Sequence, residues 1–256
     1  MAADNIHYIY NSNMGIELIY CGNSTISYPR HNHVSVLTVG IVLDGHIALT
    51  VNGEQKNCEK NQSFVIYPYM PHSILAQSRY TLLSICIDKK VAAHDSVHEI
   101  WKHVVSLLKS ELHSEGIPAD QTLKLLTCLE LALEQYVPAS CDDCQSDNAN
   151  PEINDLKKRL ESCPENKLSV KEMAQTAFVS KYHFIRSFKA EVGLTPHQFQ
   201  LQNRIRKAQR MMHTAGTITE VALATGFCDQ SHFIKQFEKQ VGLPPLTYKL
   251  SSKMIF

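Results

Sequence analysis

A chain of 256 residues, 44% hydrophobic and 20% charged, is long enough for two domains with their own cores and is ordinary in composition for a soluble globular protein. No run of about 18 apolar residues occurs, which excludes a membrane-spanning helix, and the opening "MAADNIHYIYNSN" lacks the basic segment and apolar run of a signal peptide, so the expected location is the cytoplasm. The net charge of zero is divided: residues 151–256 hold 16 Lys+Arg against 9 Asp+Glu (+7) and residues 1–150 hold 9 against 16 (−7), so a polyanion would be met by the C-terminal part alone.

After a short N-terminal arm (residues 1–12), residues 13–94 read as β-structure. "VLTVGIVLDGHIALTVNGEQ" holds two strand-like runs closed by Asp44-Gly45 and Asn52-Gly53, dipeptides that tolerate positive φ and suit hairpin turns. Ile47, Leu49 and Val51 alternate with small or polar residues, as in a strand buried on one face. Short strands with tight turns predict a small barrel or sandwich. Over residues 95–136 the apolar period becomes helical, with stripes at Val97, Trp101, Val104, Val105 and Leu108, then at Leu125, Leu129, Ala132 and Tyr136. Two such helices either pack on their own β-domain or pair with a second copy of the chain. Residues 137–152 are Pro-, Ser-, Asn- and Asp-rich and form the expected linker.

The rest, residues 153–256, carries a repeat. "AFVSKYHFIRSFKAEVGLTP" (Ala177–Pro196) returns 49 residues later as "GFCDQSHFIKQFEKQVGLPP" (Gly226–Pro245). Each copy is preceded by a capping-box pattern, Ser169-x-x-Glu172 and Thr217-x-x-Glu220, that opens a short helix. Ser180 and Asp229 stand where the next helix needs an N-cap, and Gly193 and Gly242 where it needs a left-handed C-cap. Helix, tight turn, helix is the helix-turn-helix pattern. In each second helix a phenylalanine pair at i, i+4 (Phe184/Phe188, Phe233/Phe237) anchors a core, and the other face mixes cations, amides and small groups able to read base edges. The candidate DNA-contacting residues are Ser180, Lys181, Tyr182, Ile185, Arg186 and Lys189 in the first copy and Gln230, Ser231, Ile234 and Lys235 in the second. A long connecting helix from about Pro196 to Thr214, roughly 27 Å at 1.5 Å per residue, would hold the two reading helices about one DNA turn, ~34 Å, apart. Its cations Arg204, Arg206 and Lys207 are candidates for phosphate contact.

From about Leu156 to Lys249 this arrangement resembles the AraC/XylS family of bacterial transcription regulators, on "RIRKAQRMM" in the connecting helix and "GFCDQSHFIKQFEKQVGLPPLTY" in the second unit. The resemblance implies an α+β two-domain protein. Its N-terminal part would be a cupin-like, effector-binding β-barrel followed by two dimerisation helices. Its C-terminal part would be an all-α double helix-turn-helix. It further implies an activator that acts as a homodimer on double-stranded DNA, responds to a small-molecule effector and works with RNA polymerase. Ile185 departs from the family's pattern, which commonly has a polar residue there.

"PRHNH" and "PYMPH" match the two signature places of the cupin-like domain, so His31, His33 and His72 are candidate effector-pocket residues. The same three match ligand positions of metal-binding cupins, which leaves open a metal-dependent cupin enzyme with a DNA-localising C-terminal module. Enzymatic cupins add a glutamate shortly after the His-x-His pair; here that window reads "VSVLTV". The expectation is therefore no cofactor and no enzyme. The eight cysteines are scattered and expected to be thiols, and Cys141/Cys144 supplies only two of the four ligands that structural zinc needs.

Overall fold

The computed structural model describes residues 5–255 apart from 35, 89–90, 93–96, 136–150, 167–168, 177 and 214–216. Tyr136, Thr214, the Cys141/Cys144 pair and most of the expected linker lie outside the described residues. The chain divides into two compact units, one formed by Met1–Ser27, His33–Cys141 and Leu250–Phe256, the other by Tyr28–Asn32 and Asp142–Lys249.

The first unit is built on strands β1 (Asn5–Asn11), β2 (Ile16–Ser24), β4 (Val36–Asp44), β5 (His46–Val51), β6 (Glu54–Glu59), β7 (Ser63–Ile66), β8 (His72–Ala76), β9 (Tyr80–Asp88) and β10 (Ser252–Ile255). One sheet runs in the order β10-β1-β2-β9-β4-β7; in the other, β8, β5 and β6 lie side by side. The described strands form two separate sheets rather than one continuously hydrogen-bonded cylinder. Asn52-Gly53 makes the expected hairpin: both residues have positive φ (51° and 94°) and β5 pairs β6 in register Val51 to Glu54. Asp44-Gly45 does something else. β4 pairs with β7 and β9, never with β5, so this turn passes the chain from one sheet to the other. Gly45 is required there, because at φ 72° an added Cβ would lie 2.3 Å from the Arg79 carbonyl.

Two helices, α1 (Val97–Glu111) and α2 (Ala119–Gln135), follow β9. Ile100, Val104 and Leu108 of α1 and Leu125, Leu129 and Ala132 of α2 share one core with Leu37, Val39 and Ile41 of β4 and Leu83, Ile85 and Ile87 of β9. The strand residues stand at i, i+2, i+4 and the helix residues at i, i+3/i+4, so both periods deliver apolar groups to the same layer. The helical stripes are thus spent largely on their own sheet. No described helix is long and apolar enough to cross a membrane. β10, which the sequence pattern leaves with the helical part, pairs in parallel with β1 at the edge of the first sheet.

The second unit contains α3 (Pro151–Ser162), α4 (Val170–Thr176), α5 (Lys181–Val192), α6 (Pro196–Met211), α7 (Ile218–Ala224), α8 (Gln230–Val241) and α9 (Pro245–Ser251), together with strand β3 (Tyr28–His31). The two copies of the repeat are α4–α5 and α7–α8. Phe188 meets Phe199 edge-on at 5.8 Å in the first, and Phe237 meets Tyr248 edge-on at 5.3 Å in the second, with Phe199 and Tyr248 at equivalent places, 49 residues apart. Phe184, Phe188, Phe233 and Phe237 are all buried, as core anchors must be.

Candidate nucleic-acid interface

Each reading helix is positioned by its ends. The Ser180 side chain accepts from the His183 N–H, and the Asp229 side chain from the His232 N–H at 2.7 Å. Gly193 (φ 78°) and Gly242 (φ 85°) end the helices in the left-handed conformation and return their N–H groups to Lys189 and Glu238 carbonyls. The short helix α7 opens with a reciprocal capping box between Thr217 and Glu220. These caps set where α5 and α8 begin, and so which side chains lie in the first turns beyond the core. Asp229→Ala should cost about 1 kcal/mol of stability by leaving an N-terminal amide without its acceptor, measurable as a lower urea midpoint with unchanged slope.

With the phenylalanines fixed inward, Lys181, Tyr182, Arg186 and Lys189 of α5 are exposed and Ile185 is half-buried between them. On α8, Gln230, Ser231 and Lys235 are exposed and Ile234 is half-buried. Every candidate on these two helices, with the Ser180 cap, therefore lies off the core-facing side. The Thr219 hydroxyl donates to Gln230 Oε1 at 2.9 Å, which fixes the orientation of that amide. Arg186 and Lys235 put a cation at the equivalent place on each helix.

The connecting-helix cations have partners that their sequence pattern does not reveal. Arg204 donates to the carbonyls of Pro164 (2.7 Å), Gly226 (2.8 Å), Glu165 (3.3 Å) and Asn166 (3.4 Å). Its guanidinium closes the loop after α3 onto the turn between α7 and α8, and burial lowers its pKa. Lys207 pairs with Glu165 at 2.8 Å, and this hydrogen bond holds the Glu165 carboxyl below its usual range. Arg206 donates to the Asn32 carbonyl. All three cations have partners inside the unit.

Sequence reasoning also passed over a row of buried polar groups on α6. Gln200 donates to the Pro164 and Asn166 carbonyls, and Asn203 to that of Phe199. Gln202 and Asn32 form a reciprocal pair: the Asn32 N–H donates to Gln202 Oε1 (2.9 Å) and Gln202 Nε2 donates to Asn32 Oδ1 (2.8 Å). Asn32 also donates to the Val192 carbonyl at the end of α5. The only sequence trace of this row is the polar run "QLQNR", which reads equally as a solvated face.

In the first unit, the rings of His33 and His72 stack at 4.9 Å, and His72 Nδ1 lies 2.9 Å from the Met70 carbonyl oxygen. His31 falls in the β3 segment, which belongs to the second unit, and its Nδ1 lies 2.7 Å from the Pro29 carbonyl oxygen.

Two capped helix-turn-helix copies joined by one helix define a double helix-turn-helix protein with an N-terminal two-sheet unit. Residues 173–251 match the family model described as a helix-turn-helix domain. The chain is 29% identical over 195 residues to the probable transcriptional regulator LumQ of Photobacterium leiognathi, covering 73% of this chain and 76% of LumQ. It is 27% identical over 136 residues to the regulator MtrA of Neisseria gonorrhoeae, covering 50% of this chain and 45% of MtrA, less than half that relative's length. The whole chain shares its fold with ToxT of Vibrio cholerae, at 11% identity. The apo structure gives a TM-score of 0.58 over 94% of this chain and 99% of that one; the unsaturated fatty acid-bound structure gives 0.54 over 98% of each. These likenesses support a DNA-binding transcription regulator of the AraC/XylS type.

Proposed function

We propose that this regulator reads two successive major grooves on one face of double-stranded DNA, α5 entering one and α8 the next. The observation that carries this reading is the pair of equivalently capped helices, each with its phenylalanines buried and a cationic, amide- and hydroxyl-bearing face exposed. Sixteen residues of α6 separate them, about 24 Å of helix, a spacer of the scale that two half-sites one turn apart require. Ser180, Lys181, Tyr182, Ile185, Arg186, Lys189, Gln230, Ser231, Ile234 and Lys235 are the contacting set. Footprinting on a DNA site selected in vitro tests this: protection should fall in two patches about 10.5 base pairs apart on one face, and a single patch would refute it.

The first unit is the effector-binding part of this reading, with His33 and His72 as pocket residues. A relative in fold holds an unsaturated fatty acid, so a long-chain carboxylate is the first ligand class to test by its shift of the melting temperature. Ligand would act by binding one arrangement of the regulator better than another, as a cytoplasmic activator that works with RNA polymerase rather than an enzyme.

Self-association is the remaining element. With Leu125, Leu129 and Leu133 of α2 turned to the sheet, Leu123 (58% exposed) and Leu131 (52%) stand two turns apart on its other side. Leu123→Glu with Leu131→Glu should convert a dimer to a monomer in sedimentation without lowering the melting temperature; an unchanged dimer would remove α2 from the interface.

A further inference from the structure

The two copies of the repeat differ by one residue in the turn. α4 begins 48 residues before α7, but α5 begins 49 before α8. Counted along the first helix, Phe178 therefore takes the place of Gly226. The backbone agrees: Phe178 and Gly226 both have positive φ (54° and 85°). Their N–H groups reach the third carbonyl back (Gln175 and Leu223, both 3.0 Å), and those of Val179 and Phe227 reach the fifth (Ala174 and Ala222, both 3.0 Å).

At Gly226 a side chain is impossible, since a Cβ would lie 2.6 Å from the Glu165 carbonyl oxygen. At the same place in the first turn stands a phenylalanine that is 97% exposed. A bulky residue in the left-handed region is an outlier whose strain the surroundings must carry, and a phenyl ring in water adds no core contact. The fold gains from neither. Phe178 precedes the N-cap of α5 by two residues, and Tyr182, 79% exposed, stands in the first turn of that helix beside Lys181. The second copy has Gly226 and Ser231 at the matching places. An exposed aromatic pair thus accompanies the first reading helix with no aromatic counterpart at the matching places of the second, on a surface whose exposed cations Lys181, Arg186 and Lys189 suit a polyanion.

We infer that Phe178, with Tyr182, forms an aromatic edge that packs on DNA at the first half-site, against a thymine methyl group, making the two half-sites chemically unequal. This rests on the DNA-binding reading above and adds a specificity residue to it. Thymine is the base whose major-groove edge offers an apolar group.

The test uses the full chain and an in vitro selected site. Phe178→Gly relieves the positive φ, so it should melt no lower than wild type, and Phe178→Asn, also tolerated in that region, provides a second folded variant. Both should bind roughly tenfold more weakly, the scale of one buried phenyl ring, with an unchanged salt slope. Uracil for thymine, which removes only the methyl, should weaken wild type at one position of the first half-site and leave Phe178→Gly indifferent there. Folded variants that bind like wild type, or whose loss adds in full to that of every uracil substitution, overturn the inference alone. Failure of wild type to select two half-sites would overturn the DNA reading itself.

Discussion

Arg204→Ala should destabilise the helical unit by roughly 2–4 kcal/mol, because four carbonyl oxygens lose a charged donor. The acceptors are on Pro164, Glu165, Asn166 and Gly226, so one side chain ties the loop after α3 to the turn between α7 and α8. The van der Waals fit is as close as the hydrogen bonding: the Arg204 guanidinium carbon would lie 3.1 Å from a Cβ at Gly226. Arg204→Lys should recover little, since one ammonium group cannot reproduce a planar fork that serves several acceptors. Helical circular dichroism in urea measures the loss. A stable Arg204→Ala protein whose DNA binding merely lost part of its salt dependence would place Arg204 among the phosphate contacts.

That residue shows where sequence reasoning stops. A cation on a polar helix face beside a reading helix suggests phosphate; only the tertiary path of residues 164–166 shows that its partners are carbonyls. Local features were legible, because caps, C-terminal glycines and phenylalanine spacing are set within a few residues. The capping boxes at Ser169 and Thr217 stand 48 residues apart and the reading helices 49, so the shortened turn was present in the sequence, but aligning Ala177 with Gly226 concealed it. That alignment sets Phe178, which is exposed, opposite Phe227, which is buried against Phe233. The membership of Asn32 in the helical unit was beyond reach, since its partner Gln202 is 170 residues away. Likewise, an Asp-Gly dipeptide promises a turn but not whether the chain returns to its own sheet, and at Gly45 it does not.

Arg186 and Lys235 occupy equivalent places on α5 and α8 and are exposed, so each should act on its own half-site. Replacing either with alanine should cost about 1–3 kcal/mol of binding and relax base preference in one half only. Neither side chain contributes to the caps or to the phenylalanine cores, so both variants should fold. Their binding changes then report on DNA and not on the unit's order, in contrast to Arg204→Ala.

The most direct test is binding-site selection with wild type, Arg186→Ala and Lys235→Ala, each at two salt concentrations. Two groups of relaxed positions about one helical turn apart, one for each variant, is the result expected if the two helices read successive grooves. Relaxation at the same positions by both variants, or a change confined to the salt slope, would contradict it.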